Sequence, residues 1–224
     1  MTRALADRTG ARALVRGWKT LGAPVGAPRA LAIGPQGHEL ARAVMDTLSP
    51  AELVLLHPAP AAARARFRTE AGDLATLSQS DAGGFDLILV GGGLEAVDLA
   101  SVSDAVGRLG ALLRPGGGLA LIVDTLAAPL PGETGDAFDH LLFPHLAASG
   151  ELGEAGAARA PLPASAWRLL LQGAGLKVAQ MQAANAGLPE AMSVDHGARL
   201  AIYDAQELTF GRLNILASKP GRRK

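Results

Sequence analysis

The sequence predicts an α/β fold: a doubly wound, mostly parallel sheet with helices on both faces. Three observations point to it. Apolar runs at Ala30–Ile33, Leu53–Leu56, Phe85–Val90 and Leu119–Val123 are continuous rather than alternating, as in strands covered on both faces. The segments between them carry apolar residues at helical spacing or in Ala-rich stretches. Gly and Pro clusters separate the two kinds of segment, marking the turns. Strands alternating with helices imply βαβ units, and right-handed crossovers wind them into one sheet.

The elements follow in order. Ala11–Lys19 is expected to be helical, with Leu14 and Trp18 four apart on one face. Gly22-Ala23-Pro24 and Gly26-Ala27-Pro28 break the chain before the strand Ala30–Ile33, which ends at Gly34. Glu39–Leu48 reads as a helix, with Leu40, Val44 and Leu48 on one face, and Pro50 stops it. The strand Leu53–Leu56 ends at His57-Pro58, a short Ala/Arg helix is expected over Pro60–Phe67, and a strand near Phe67–Ala71 precedes Gly72-Asp73. The buried strand Phe85–Val90 closes on Gly91-Gly92-Gly93. Val97–Leu113 is helical by its spacing of Val102, Val106, Leu109 and Leu113, and Pro115-Gly116-Gly117-Gly118 turns the chain into Leu119–Val123 and Asp124. A helix over Ala164–Gly173, a strand over Gly175–Met181 and a last strand over Phe210–Ser218 complete the set.

Length suits one domain over residues 1–224, with irregular insertions at about 125–163 and 185–207. Hydrophobic residues are 49% of the chain and aromatics only 4%, so the core is built of Ala, Leu and Val. Lys+Arg and Asp+Glu total 21 each, a net charge of zero that gives no sign of a nucleic-acid surface. The first 19 residues carry Arg3, Arg8, Arg12, Arg16 and Lys19 against Asp7 alone. A solvated amphipathic helix accounts for this stretch better than a targeting segment or an anion-binding arm. The absence of cysteine excludes disulfides, thiolate nucleophiles and sulfur-ligated zinc. No apolar run reaches the roughly 18 residues that span a bilayer, and no secretory signal is read, so the expected location is the cytoplasm.

Several blocks stand together in a telling order. They are the glycine-bearing Ala30–His38, Gly84-Phe85-Asp86-Leu87-Ile88-Leu89, the turn Leu112-Leu113-Arg114-Pro115-Gly116-Gly117-Gly118-Leu119, Leu169–Val178 and Leu216-Ala217-Ser218-Lys219-Pro220. Over residues 11–220, and most closely from Gly84 to Asp124, the chain resembles the class I S-adenosylmethionine-dependent methyltransferases. That resemblance implies a seven-stranded sheet of order 3-2-1-4-5-7-6 with the last strand antiparallel. It also implies S-adenosylmethionine bound at the carboxyl ends of the first strands, at the topological switch point.

The family's first loop reads acidic-x-Gly-x-Gly-x-Gly. Here it is Ala32-Ile33-Gly34-Pro35-Gln36-Gly37-His38, with one glycine in place and Gln36 on the second glycine position. Where the resemblance expects a ribose-binding carboxylate stands His57, and Asp73 matches an acid that faces the adenine. An imidazole offers one hydrogen bond per nitrogen and cannot take two hydroxyl donors as a carboxylate does. The implied cofactor-binding set is therefore Gly34, Gln36, Gly37, His57, Asp73 and Gly91. A plainer account is that Gly34 and Gly37 only make the strand–helix turn.

Methyl transfer asks the protein mainly for alignment, with a general base for hydroxyl or amine acceptors. Asp124, His140, His145 and Tyr203 are the candidates at that end of the sheet. His140 and His145, near Asp136 and Asp139, lack a third spaced ligand, so no metal site is expected. Three functions follow: methyl transfer to a small-molecule acceptor; a cofactor-degenerate pseudoenzyme that binds a protein partner; or reuse of the fold for a reaction such as cyclisation. The Gly-rich excursion is also a candidate contact in a homo-oligomer.

Overall fold

A computed structural model describes residues 3–22, 26–57, 68–72, 83–94, 99–125, 162–185 and 210–221. The elements in chain order are α1 (Arg3–Thr20), β1 (Arg29–Ile33), α2 (Gly37–Thr47), β2 (Glu52–His57), β3 (Arg68–Ala71), β4 (Phe85–Gly91), α3 (Leu99–Leu112), β5 (Leu113–Asp124), α4 (Ala164–Gly173), β6 (Lys177–Asn185) and β7 (Phe210–Ser218). The strands form one seven-stranded sheet in the order β3-β2-β1-β4-β5-β7-β6. Strands β1 to β5 pair in parallel, and β7 runs antiparallel to both β5 and β6. Fold class and strand order are those expected.

Period-two alternation sends successive side chains to opposite faces. Leu31, Ile33, Ile88, Val90, Leu119 and Leu121 point to one face and pack under α3 and α4, with Val106, Leu109, Trp167 and Leu171. Ala30, Ala32, Leu87, Leu89, Ala120 and Ile122 point to the other, under α1 and α2, with Leu14, Trp18, Leu40 and Val44. Small residues on this second face let the helices sit close. The side chain of Trp18 lies directly over Gly118, whose missing Cβ leaves room for the indole.

The boundaries differ from expectation in instructive places. Helix α1 extends back to Arg3, beyond the apolar stripe that marked it. Helix α2 starts at Gly37 instead of Glu39. Strand β5 takes in the Pro-Gly-Gly turn: Phe85 pairs with Leu113, and the register then slips so that Leu87 meets Gly118. Strand β6 runs on to Asn185 because β7 supplies the pairing, Asn185 opposite Phe210. The helix expected over 60–67 and nearly all of both insertions lie outside the described residues.

The amino end of the sheet is pinned by charge. Asp86, buried in β4, accepts from the backbone N–H of Arg29 at 2.8 Å and from the Arg114 guanidinium at 3.3 Å. Lys219 donates to the carbonyls of Gly110 and Leu113 at 2.9 and 2.8 Å, closing the last turn of α3. A cation at a helix carboxyl end satisfies orphan carbonyls and complements the dipole. These contacts explain the R-P-G-G turn and the chain-end lysine as structure, and leave the opposite end of the sheet for function.

Candidate functional site

The order β2-β1-β4-β5 places the switch point between β1 and β4. Their carboxyl ends therefore open into the crevice where ligands of such sheets bind. β1 delivers the chain to Gly34, which adopts φ +103°. A Cβ there would stand 2.6 Å from the Gly91 carbonyl oxygen and 2.9 Å from that of Gly92. Gly34 is thus required by backbone-to-backbone packing of the first loop on the end of β4. The Gly37 N–H donates to the Gly34 carbonyl at 2.9 Å and closes the turn. A Cβ on Gly37 would meet the Leu55 methyl at 2.5 Å, so this glycine fits α2 against β2.

Gln36 is the residue before α2, and its side chain makes no capping hydrogen bond. Its backbone N–H donates to the Gly91 carbonyl at 3.3 Å, and its carbonyl accepts from Glu39 and Leu40 at 3.0 and 3.1 Å. The side chain turns across the end of β4 and lies on Gly91 and Gly92. Gly92 has φ +72°, and a Cβ on it would overlap the Gln36 carboxamide. The Gly92 N–H in turn donates to the Ile122 carbonyl at 3.1 Å, tying the junction to β5. The Oε1 atom of Gln36 is buried and has no hydrogen-bond partner. A carbonyl oxygen left dry costs about 1–3 kcal/mol, which marks this junction as a place where a donor is wanted.

Carboxylates are missing where the resemblance places them. Ala32, fully buried, pairs in register with Leu55 and Leu89, an apolar setting with no partner for a charge. β2 ends at His57, whose backbone pairs with Ala71. Asp124 ends β5 and accepts from Arg212 Nε at 3.1 Å, across the β5–β7 pair. Their side chains are 19% and 17% exposed, so the ion pair is largely shielded. This partner on β7 was not foreseen, although both residues fall at the same end of neighbouring strands. The structure adds Gly92 to the expected Gly91, and the triple glycine after β4 is its signal in the sequence. Asp73, His140, His145 and Tyr203 lie outside the described residues, as does the side chain of His57. Among the described residues there is no cluster of acidic, His or Cys side chains suited to a metal ion. Among them too, no helix is long and apolar enough to cross a membrane.

The chain has the fold of the class I S-adenosylmethionine-dependent methyltransferases. An S-adenosylmethionine-dependent methyltransferase from Mesorhizobium loti superposes with a TM-score of 0.55 at 15% identity, over 91% of this chain and 96% of that one. The methyltransferase complexed with its activator Trm112 from Haloferax volcanii gives 0.58 at 17% identity, over 98% and 93%. The 1,6-didemethyltoxoflavin-N1-methyltransferase of Burkholderia thailandensis, solved with S-adenosylhomocysteine, gives 0.55 at 16%, over 93% and 78%. No family model matches the sequence, and no curated protein does.

Proposed function

We propose that this chain binds S-adenosylmethionine at the carboxyl ends of β1 and β4 and transfers its methyl group to a small-molecule acceptor. One observation supports this reading above the others. At the switch point, where the three similar structures have a methyltransferase's sheet, this chain holds a polar oxygen, Gln36 Oε1, buried and without a partner. The bound cofactor would supply an electrophilic methyl on a sulfonium. The chain's part is to hold and align. Gly34 and Gly92 keep the two loops at their close spacing. Gln36 and the Gly91–Gly92 carbonyls face the amino-acid tail, His57 takes the ribose, and Asp73 takes the adenine. The insertions at 125–163 and 185–207, with His140, His145 and Tyr203, build the acceptor pocket and supply any base. Asp124 serves as a positioning residue through Arg212 rather than as a base.

A second reading is favoured by Ala32 and His57. Two carboxylates of the usual cofactor site are replaced, one by an alanine and one by a histidine that cannot accept from two hydroxyls as a carboxylate does, as in a pseudoenzyme that acts by binding a protein. A similar structure, the Haloferax methyltransferase in complex with an activator, is in keeping with a protein partner.

Thermal unfolding with and without S-adenosylmethionine or S-adenosylhomocysteine separates the two. At about 100 times Kd a ligand adds about 2.7 kcal/mol, or ~5–10 °C for a domain this size. Such a shift supports the cofactor site. An unchanged melting curve at millimolar ligand sinks it and leaves the protein-binding reading.

A further inference from the structure

The two edges of the sheet are finished differently. β3, at one edge, is four residues long, and its charged side chains Arg68 and Glu70 pair at 2.7 Å. Shortness and charge guard an edge against pairing with another chain. β6, at the other edge, is nine residues long. After Lys177 it carries neither charge nor proline through Asn185. Its pairing with β7 shifts register between Val178 and Gln180 and again between Ala184 and Asn185, and is regular from Gln180 to Ala184. On its outer side no strand pairs with it among the described residues. Ala179, Gln182 and Ala183 are exposed. A row of backbone donors and acceptors is thus open to a further strand. The helix beside this edge adds apolar ground. Leu169, 69% exposed, sits on α4, which packs on β6; among the described residues it and Leu21 are the large apolar side chains left exposed.

We infer that β6 is the docking edge for a second copy of this chain, the two β6 strands pairing antiparallel about a two-fold axis at Gln182. Three features make the strand its own complement. Gln182, at the middle of the regular run, would face its counterpart, and a carboxamide is both donor and acceptor. Met181 and Ala183 share the α4 face of the sheet with Ile215 and Leu213. Met181 of each copy would stand opposite Ala183 of the other, apolar on apolar. Lys177, the one charge of the strand, lies five residues from the axis. An antiparallel pair therefore holds the two lysines roughly 30 Å apart, at ~3.3 Å per residue, whereas a parallel pair would stack them. Two-fold pairing is closed, since neither copy keeps an open β6. β5 and β7 stand between β6 and β4, so the crevice at β1 and β4 stays open in the dimer, whether or not a cofactor occupies it.

The full chain is measured first by sedimentation velocity across the micromolar range, where a dimer of 22.8 kDa chains is expected. Gln182→Lys sets two like charges on the axis and should weaken dimerisation by about tenfold or more, with an unchanged circular dichroism spectrum. The chain has no cysteine, so Gln182→Cys introduces a single thiol. Opposed residues of antiparallel strands lie about 4.5–5.5 Å apart, within reach of a disulfide. Mild oxidation should link Gln182→Cys chains in pairs and leave Thr69→Cys, on the β3 edge, largely unlinked. Three results overturn the inference. A wild type that sediments as one chain throughout shows that β6 does not pair with itself. A dimer that Gln182→Lys leaves equally tight, or one in which Gln182→Cys links no faster than Thr69→Cys, places the contact on another surface.

Discussion

Two glycines three residues apart in the first loop should respond very differently to alanine. At Gly34 the backbone has φ +103°. An L side chain pays roughly 1–2 kcal/mol or more for such a conformation. Its Cβ would also lie 2.6 Å from the Gly91 carbonyl oxygen and 2.9 Å from that of Gly92. Those are backbone atoms of a buried strand end, so the whole loop must move, at about 1–3 kcal/mol. The lost flexibility of the unfolded chain returns about 0.4–1 kcal/mol. Gly34→Ala should therefore destabilise by about 2–4 kcal/mol. At Gly37 the obstacle is the Leu55 Cδ1 methyl at 2.5 Å, the far end of a flexible side chain. Shifting it costs about 0.5–1.5 kcal/mol, and alanine in the helix returns up to about 1 kcal/mol. Gly37→Ala should come out within about 1 kcal/mol of wild type. Scanning calorimetry should thus show Gly34→Ala melting ~4–16 °C lower and Gly37→Ala within ~4 °C. Equal losses, or a larger one at Gly37, would refute the assignment of Gly34 to loop-on-strand packing.

Two further outcomes follow from the charges. Asp124→Asn leaves the shielded Arg212 without its carboxylate, so it should cost about 1–3 kcal/mol; a double variant with Arg212→Gln should cost less than the sum of the singles, by more than about 0.5 kcal/mol. If the losses simply add, Asp124 is not an ion-pair residue and returns as a candidate base. The hydrogen bond from Arg8, then that from Arg12, hold Asp46 below the ordinary carboxylate value. The folded pKa is the lower one, so the stabilisation is full above about pH 4 and is lost as pH falls through the folded value. Asp46→Asn should lower the melting temperature near pH 7, with the difference narrowing as pH falls through the folded value and shrinking in 1 M salt, since the groups are exposed. A difference that fails to narrow as pH falls below about 4 would refute the link.

The sheet could be read from the chain because its strands are buried on both faces. Ile88, Leu89 and Val90 need no knowledge of their partners to be recognised. The errors fall where an element is held by something other than its own pattern. The amino-terminal half of α1 precedes the stripe of Ala11, Leu14, Val15 and Trp18 that buries the helix. β6 is an edge strand whose outer residues, Gln182 and Ala183, are exposed, and only its ladder to β7 extends it. Leu113 reads as the last turn of a helix until Phe85 pairs with it.

The site was legible in its positions and not in its roles. A motif names Gly34, Gln36 and Gly37 as one set, because it is a string. The fold divides them by what each would touch. Gly34 meets the carbonyls of β4, Gly37 meets a methyl of β2, and Gln36 lies on Gly91 and Gly92. Neither Gly34 nor Gly37 has to be kept for a ligand, since packing alone demands the first and favours the second. A string match therefore overstates the evidence for a cofactor at the glycines and understates it at the one residue that breaks the pattern. The side chain of Gln36 makes no capping hydrogen bond to its own helix and leaves a buried oxygen unpaired. A side chain serving only as filler would be better apolar, because burying a polar atom without a partner costs free energy that a methylene does not. The departure from glycine is thus the feature of this loop that packing does not explain, and it is there that a ligand should be sought.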